Sequence, residues 1–215
     1  ELFLYQRADT IICVTKAMRE ALVFKGIKKE KIHVILNGVD TMKYRPQPKD
    51  ESLLESLQIH NYFVVGYIGT LGLAHHLQTL LEAAKIIQDI NGDKKIFFLF
   101  VGSGAKRSEL ISKAALLNLK NIKFINNISK PEVVRYLSLL DVMVVHLKKR
   151  NLYKGVIPSK IFEGMAMGIP ILHGVEGESA EIIKNNKVGL TFLPENSEEL
   201  VRLIVKLYSD NKLIS

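Results

Sequence analysis

The chain of 215 residues is short of several things, and each shortage closes off a class of function. Its one cysteine, Cys13, leaves no partner for an intrachain disulfide, which fits a reducing, cytoplasmic setting. Cys13 lies in the apolar stretch Thr10-Ile-Ile-Cys-Val14 with no motif around it, and reads as a small core side chain rather than a catalytic thiol. No apolar run reaches the roughly 20 residues of a membrane-crossing helix. Glu1-Leu-Phe-Leu-Tyr-Gln-Arg7 lacks the basic start and cleavage site of a secretory signal, and no initiator methionine precedes it. The expectation is a piece of a longer protein. Internal repeats and low-complexity segments are absent too.

Several catalytic signatures are missing. Gly102-Ser-Gly104 is followed by Arg107 where a dinucleotide fingerprint needs its third glycine, and the next strand ends Phe124-Ile-Asn-Asn127 without the ribose-binding carboxylate. This excludes NAD. There is no Gly-x-x-x-x-Gly-Lys-Ser/Thr loop for a nucleoside triphosphatase and no Gly-x-Ser-x-Gly nucleophile elbow. His75 and His76 are adjacent, so they cannot face one ligand from a helix, and no metal-ligand spacing occurs.

What is present is ordinary globular composition, 47% hydrophobic and 24% charged, with a net charge of +8. The lysines are scattered, with short clusters at Lys28-Lys-Glu-Lys31 and Lys148-Lys-Arg150. Without an arginine-rich tract or aromatic–basic interleaving, nucleic acid is the disfavoured partner. A phosphorylated ligand and the anionic inner face of the cytoplasmic membrane fit the charge, as does plain solubility.

From Tyr62 onward, apolar strand patterns alternate with helical ones. Strands are predicted at 62–68, 95–101, 122–125, 142–145, 171–172 and 189–192. Between them the pattern predicts helices over 74–90, with Asn91-Gly-Asp93 as the stop, and over 106–117, 129–140 and 179–184, with a last helix capped by Ser197. The expected fold is α/β, a doubly wound Rossmann-like parallel sheet. Ahead of it, 8–14 and 31–36 read as strands around a helix capped by Thr15 and ended by Gly26. The expected division is 1–45 as the remnant of a preceding domain with the crossing out of it, and 46–215 as the main domain.

The chain is organised around Gly155-Val-Ile-Pro158-Ser159-Lys160-Ile-Phe-Glu163-Gly-Met-Ala-Met-Gly168-Ile-Pro170. Pro158 suits the position at or just before a helix start, Gly168 a left-handed cap, and Pro170 forbids continuation. A helix N-terminus offers N–H groups to a phosphate, Lys160 adds a positive charge, and Glu163 can accept from two ribose hydroxyls. The same pair also reads as a solvated ion pair worth a few tenths of a kcal/mol. In a doubly wound sheet, ligands sit at the carboxyl ends of the strands. The turns Gly69–Gly72, Gly102–Gly104 and Asn126–Ser129 should therefore meet the Pro158 helix start at one edge, which favours a nucleotide.

These pieces, in this order, resemble the C-terminal, donor-binding half of a GT-B glycosyltransferase of the group 1, or family 4, kind. The resemblance rests on Asp9-Thr-Ile-Ile-Cys-Val-Thr-Lys-Ala-Met18, Val34-Ile-Leu-Asn-Gly-Val-Asp40, Gly66-Tyr-Ile-Gly-Thr-Leu-Gly72, Phe100-Val-Gly-Ser-Gly104 and Ile122-Lys-Phe-Ile125. Pro158 to Leu172 is its most specific part, and Gly177-Glu178, Gly189 and Leu190 close it. It implies retaining transfer from a nucleotide-sugar, a substrate rather than a cofactor, without an obligatory metal. By position, Glu163 would hold the donor ribose, Gly69, Thr70 and Gly72 the diphosphate, and Ile128, beside Asn127, the base. Gly102, Gly104, Pro158 and Ser159 complete the implied donor site. The family's first paired glutamate falls at Gly155, its loop arginine at Thr70 and its loop lysine near His75. With those cations absent, Lys160 is the expected partner of the diphosphate, and Lys160 and Glu163 are the expected catalytic pair. The Pro-Ser-Lys variant resembles a bacterial branch that builds capsule, O-antigen and related surface polysaccharides. The acceptor domain would lie outside this chain, leaving the piece inactive alone. A sugar-nucleotide epimerase of the same shape and a nucleotide-binding module without chemistry are the alternatives.

Overall fold

The computed structural model describes residues 1–90 and 95–210. The predicted helix stop at Asn91-Gly-Asp93 lies outside them. A small N-terminal unit comes first: helix α1 (Leu2–Arg7), strand β1 (Ile11–Cys13), helix α2 (Lys16–Phe24) and strand β2 (Ile32–Val34). The two strands pair in parallel, and Ile11, Cys13, Ile27 and Ile32 form their small core. Thr15 caps α2 as its sequence predicts, accepting from the Met18 amide at 3.0 Å.

The main unit runs α3 (Glu51–Leu57), β3 (Phe63–Ile68), α4 (Gln78–Ile90), β4 (Ile96–Val101), α5 (Arg107–Leu116), β5 (Ile122–Ile125), α6 (Lys130–Ser138) and β6 (Val142–His146). It continues with α7 (Lys160–Ala166), β7 (Ile171–Gly174), α8 (Glu178–Asn185), β8 (Gly189–Thr191) and α9 (Ser197–Ser209). Six strands form one sheet, ordered β5-β4-β3-β6-β7-β8, and every pair is parallel. The four central strands, β3, β4, β6 and β7, are buried on both faces, which is why they read as unbroken apolar runs. Val65, Tyr67, Phe98 and Val144 face α4, α5 and α9, whereas Val64, Ile68, Leu99 and Met143 face α3, α6, α7 and α8. The sheet is doubly wound, as expected.

Several element boundaries depart from their sequence reading. Helix α4 begins at Gln78 rather than Ala74, because His76 takes a positive φ of 43° and residues 71–77 form a loop. The last helix is capped by Asn196, whose side chain accepts from the Glu199 amide, and not by Ser197. Strand β1 keeps only three of the seven residues predicted for it. A single-turn helix at Asn151–Gly155, unforeseen in the sequence, stands between β6 and α7.

Candidate functional site

Strand order reverses between β3 and β6, so the chain leaves these neighbouring strands toward opposite sides and opens a crevice at their carboxyl ends. Segments 69–77 and 147–159 bound it. The loops after β3 and β4 interlock beside the crevice. The Gly69 amide donates to the Val101 carbonyl at 2.8 Å, and the Leu71 amide to the Ser103 carbonyl at 2.8 Å. The Lys106 amide returns a bond to the Leu71 carbonyl at 2.9 Å. This closeness needs bare backbone. Gly102 has φ +139° and a Cβ there would overlap the Gly69 carbonyl oxygen, while one on Gly104 would stand 2.5 Å from the Leu71 oxygen.

Lys160, the first residue of α7, reaches back over this cradle. Its Nζ and Cε fill the space that a Cβ on Gly69 would take. The side chain is half-buried, and burial holds its pKa below the usual lysine value, against the pull of the Glu163 carboxylate. Among the described residues its ammonium has no hydrogen-bond or ion-pair partner. A half-buried ammonium with a carboxylate nearby but none in contact is incompletely compensated, which favours an anion from outside.

The start of α7 itself contributes less than its sequence promises. The Ile161 and Phe162 amides donate to the Pro158 and Ser159 carbonyls at 3.1 and 3.0 Å in a tight first turn, so they do not point outward. The seven-residue helix ends as read, with Gly168 at φ +69° and the Ile169 amide on the Gly164 carbonyl at 2.9 Å.

The structure brings Gly69, Gly72, Gly102, Gly104 and Lys160 together. Thr70 is exposed at the cradle, its carbonyl accepting from the Tyr67 hydroxyl at 2.8 Å. Pro158 and exposed Ser159 lead into α7. Asn127 and Ile128 lie beyond β5, the third strand out from the switch, and the end of that strand meets the cradle through the bond from the Gly102 amide to the Ile125 carbonyl at 3.1 Å. Glu163 is half-buried and faces Tyr44, whose phenol pKa burial raises and that carboxylate raises further. Tyr44 was not foreseen, since the segment around it reads as a polar linker with no signal of a site. Gly155, where a carboxylate was expected, packs against the Ala17 side chain of α2.

His146 goes unnoticed in the sequence, where His75 reads only as unable to share a ligand with His76 and as lying near the place of the family's loop lysine. His75, in the loop after β3, sets its imidazole beside Gly72, with Cδ2 and Nε2 at 3.5 and 4.0 Å from the position of a Cβ there. Its Nδ1 is 3.4 Å from the His146 carbonyl. His146, at the end of β6, returns a bond of 2.7 Å from Nδ1 to the His75 carbonyl. The two bonds tie the β3 loop to the strand across the switch.

Fold and crevice together define the class: a Rossmann-like α/β domain whose candidate ligand site lies at the strand-order switch. The chain belongs to the group 1 glycosyl transferases. It matches that family over residues 49–214, and the family 4 glycosyltransferase description over residues 1–43. It is similar to TuaH of Bacillus subtilis, named for teichuronic acid biosynthesis, at 29% identity over 175 residues, covering 80% of this chain and 42% of that protein. It is also similar to AmsK of Erwinia amylovora, an amylovoran biosynthesis glycosyltransferase, at 22% identity, covering 95% of this chain and 48% of that one. Among solved structures, Anabaena HepE in complex with UDP-glucose superposes with a TM-score of 0.84 at 23% identity, over 99% of this chain and 58% of HepE. The fold is that of GT-B glycosyltransferases. The chain thus spans about half the length of the curated relatives it matches. Among the described residues no helix is long and apolar enough to cross a membrane.

Proposed function

We propose that this chain is the donor-binding part of a retaining glycosyltransferase. It would move a sugar from a nucleotide-sugar, UDP-linked by preference, to a glycan or lipid-linked acceptor in surface polysaccharide synthesis. The observation that carries this reading is the unpaired, half-buried Lys160 ammonium lying across Gly69 at the switch-point crevice. As the glycosidic bond to the donor breaks, negative charge grows on the leaving diphosphate, and a preorganised ammonium in a partly dry site stabilises that charge without reorganising. Glu163 receives the ribose hydroxyls from the same face of α7, and Asn127 and Ile128 meet the base. In this reading no metal is required. HepE, which binds UDP-glucose, supports the preference for UDP, and the names of TuaH and AmsK support a role in polysaccharide synthesis. Acceptor groups belong to sequence outside this chain, and the net charge of +8 suits work at an anionic inner membrane face.

Calorimetric titration with UDP, GDP and ADP tests the reading. We expect one of them to bind, with Lys160→Ala weakening it about tenfold to a hundredfold, the scale of a lost charge-assisted hydrogen bond. Glu163→Ala should weaken it by a smaller factor. Absence of binding by all three nucleotides would overturn the donor-domain reading. One observation favours a second reading, a nucleotide-binding module without chemistry: Gly155 stands where the family's first glutamate is expected. Transfer activity in the longer protein would exclude it.

A further inference from the structure

The imidazole of His75 and the ammonium of Lys160 stand over the same short loop, His75 at Gly72 and Lys160 at Gly69. They come from opposite sides of the switch, His75 from the segment after β3 and Lys160 from the first turn of α7. A carbonyl can only accept, so the contact between His75 Nδ1 and the His146 carbonyl places a proton on Nδ1. In the neutral ring Nε2 is then a bare lone pair. Among the described residues nothing donates to it.

A bare lone pair is the wrong partner for a phosphate oxygen, which also only accepts. To meet an anion there, Nε2 must first carry a proton, and the ring becomes a cation beside Lys160. With the crevice empty this is unfavourable: burial disfavours the charged ring, and the Lys160 ammonium repels it, while the His146 carbonyl favours it. Two neighbouring rings, those of Tyr67 and His146, carry no charge. The Tyr67 ring of β3 stands steeply inclined to that of His75, centroids 5.9 Å apart, and burial keeps its phenol protonated. The His146 imidazole is held neutral, and His76 turns its Nδ1 to the Thr79 hydroxyl at 3.0 Å. A doubly or more negative group between His75 and Lys160 reverses the balance, because it attracts both cations and screens their repulsion.

We propose that His75 takes a proton on Nε2 as the donor's diphosphate seats, so that donor binding is coupled to the uptake of one proton. This rests on the donor reading of the crevice. The proton comes from solvent, an N–H bond forms on Nε2, and no bond of the donor is broken. His75 and Lys160 then clamp the diphosphate from two sides.

Calorimetry from pH 6 to pH 8 tests the coupling, in two buffers of different ionisation enthalpy. UDP-glucose and GDP-mannose are the probes, since a diphosphate esterified at both ends does not itself titrate in this range. The expected result is tighter binding toward pH 6, approaching about tenfold per pH unit where one full proton is taken up, and a heat of binding that depends on the buffer. His75→Asn keeps a donor for the His146 carbonyl but cannot reach the diphosphate. It should bind more weakly at pH 6 with no pH slope. His75→Gln can place an uncharged amide donor where Nε2 stood, and should bind with intermediate affinity, equally at every pH. Binding by the wild-type chain with no buffer dependence and no pH slope, or a slope that survives in both variants, would overturn the proton coupling and leave the donor reading standing. Failure of both nucleotide-sugars to bind would remove the donor reading, and the coupling with it.

Discussion

His146 is locked into one neutral form by what surrounds it. Its Nε2 accepts from the Glu195 amide at 2.9 Å, and its Nδ1 donates to the His75 carbonyl at 2.7 Å. A second proton would set N–H against N–H. His173 on β7 is fully buried, with Nε2 2.9 Å from the Ser179 hydroxyl and, among the described residues, no partner for Nδ1. Burial holds both rings at about 4, well under the ordinary 6.5, and the His146 ring further disfavours charge on His173. The unfolded chain therefore binds more protons than the folded one between these values. Stability is fully present above about pH 6.5 and is lost as pH falls toward 4, by up to about 3 kcal/mol per histidine. We expect the melting temperature to fall across that window, and His173→Gln to flatten the fall. An unchanged melting temperature from pH 7 to pH 4.5 would refute this. Lys160, Glu163 and the glycine turns were legible because each has a local signature of residue type and spacing. The histidines were not, since the partner that defines His146 is a backbone amide 49 positions away.

Elements are joined across the two units by a carboxylate. Glu178 opens α8, and its two oxygens accept from the Lys16 and Ala17 amides at 3.0 and 3.1 Å. With Thr15 on the Met18 amide, the three leading amides of α2 are satisfied, two of them by the other unit. Glu178→Ala should cost about 1–2 kcal/mol, the scale of a lost helix cap, and should unseat α2 before the main sheet unfolds. Hydrogen exchange checks this: the α2 amides should exchange faster while those of β3 and β6 stay protected. Equal protection in variant and wild type would count against it. Helix periodicity and capping residues made most elements legible, but not this joint, because a lone glutamate ahead of an apolar pattern reads as an ordinary first-turn acid. The late start of α4 was hidden for a similar reason. Residues 74–77 have helical composition, but their partners lie across the switch: the Ala74 carbonyl accepts from the Lys148 amide at 2.8 Å, and His75 is tied to His146.

For the molecule as a whole, the N-terminal unit is a sheet of two strands, with Ile12 63% and Phe24 93% exposed. So small a unit lacks the core to stand apart, and it both leans on Glu178 and leaves apolar surface open. We expect the 215-residue chain to bind nucleotide-sugar and to transfer nothing, since the acceptor side is proposed to lie in sequence beyond it. Turnover by the purified chain with a glycan acceptor would refute that. The alternation of strand and helix made the doubly wound sheet legible. The strand order was not, because parallel strands of similar apolar composition carry no label for their neighbours.

That order has a kinetic consequence. Strand β3 meets β4, its successor along the chain, but it meets β6 only when Val65 finds Val142. The seam between β3 and β6 closes the largest loop in the sheet's centre, and such long-range pairings are the slow steps of folding. Gly69 and Lys160 lie on the two sides of that seam. A nascent chain emerging from the ribosome therefore has no anion seat until α7 has appeared and β6 has docked. On the proposed donor reading, nucleotide cannot guide the earlier steps, and its capture would mark the moment when the two halves of the sheet have joined.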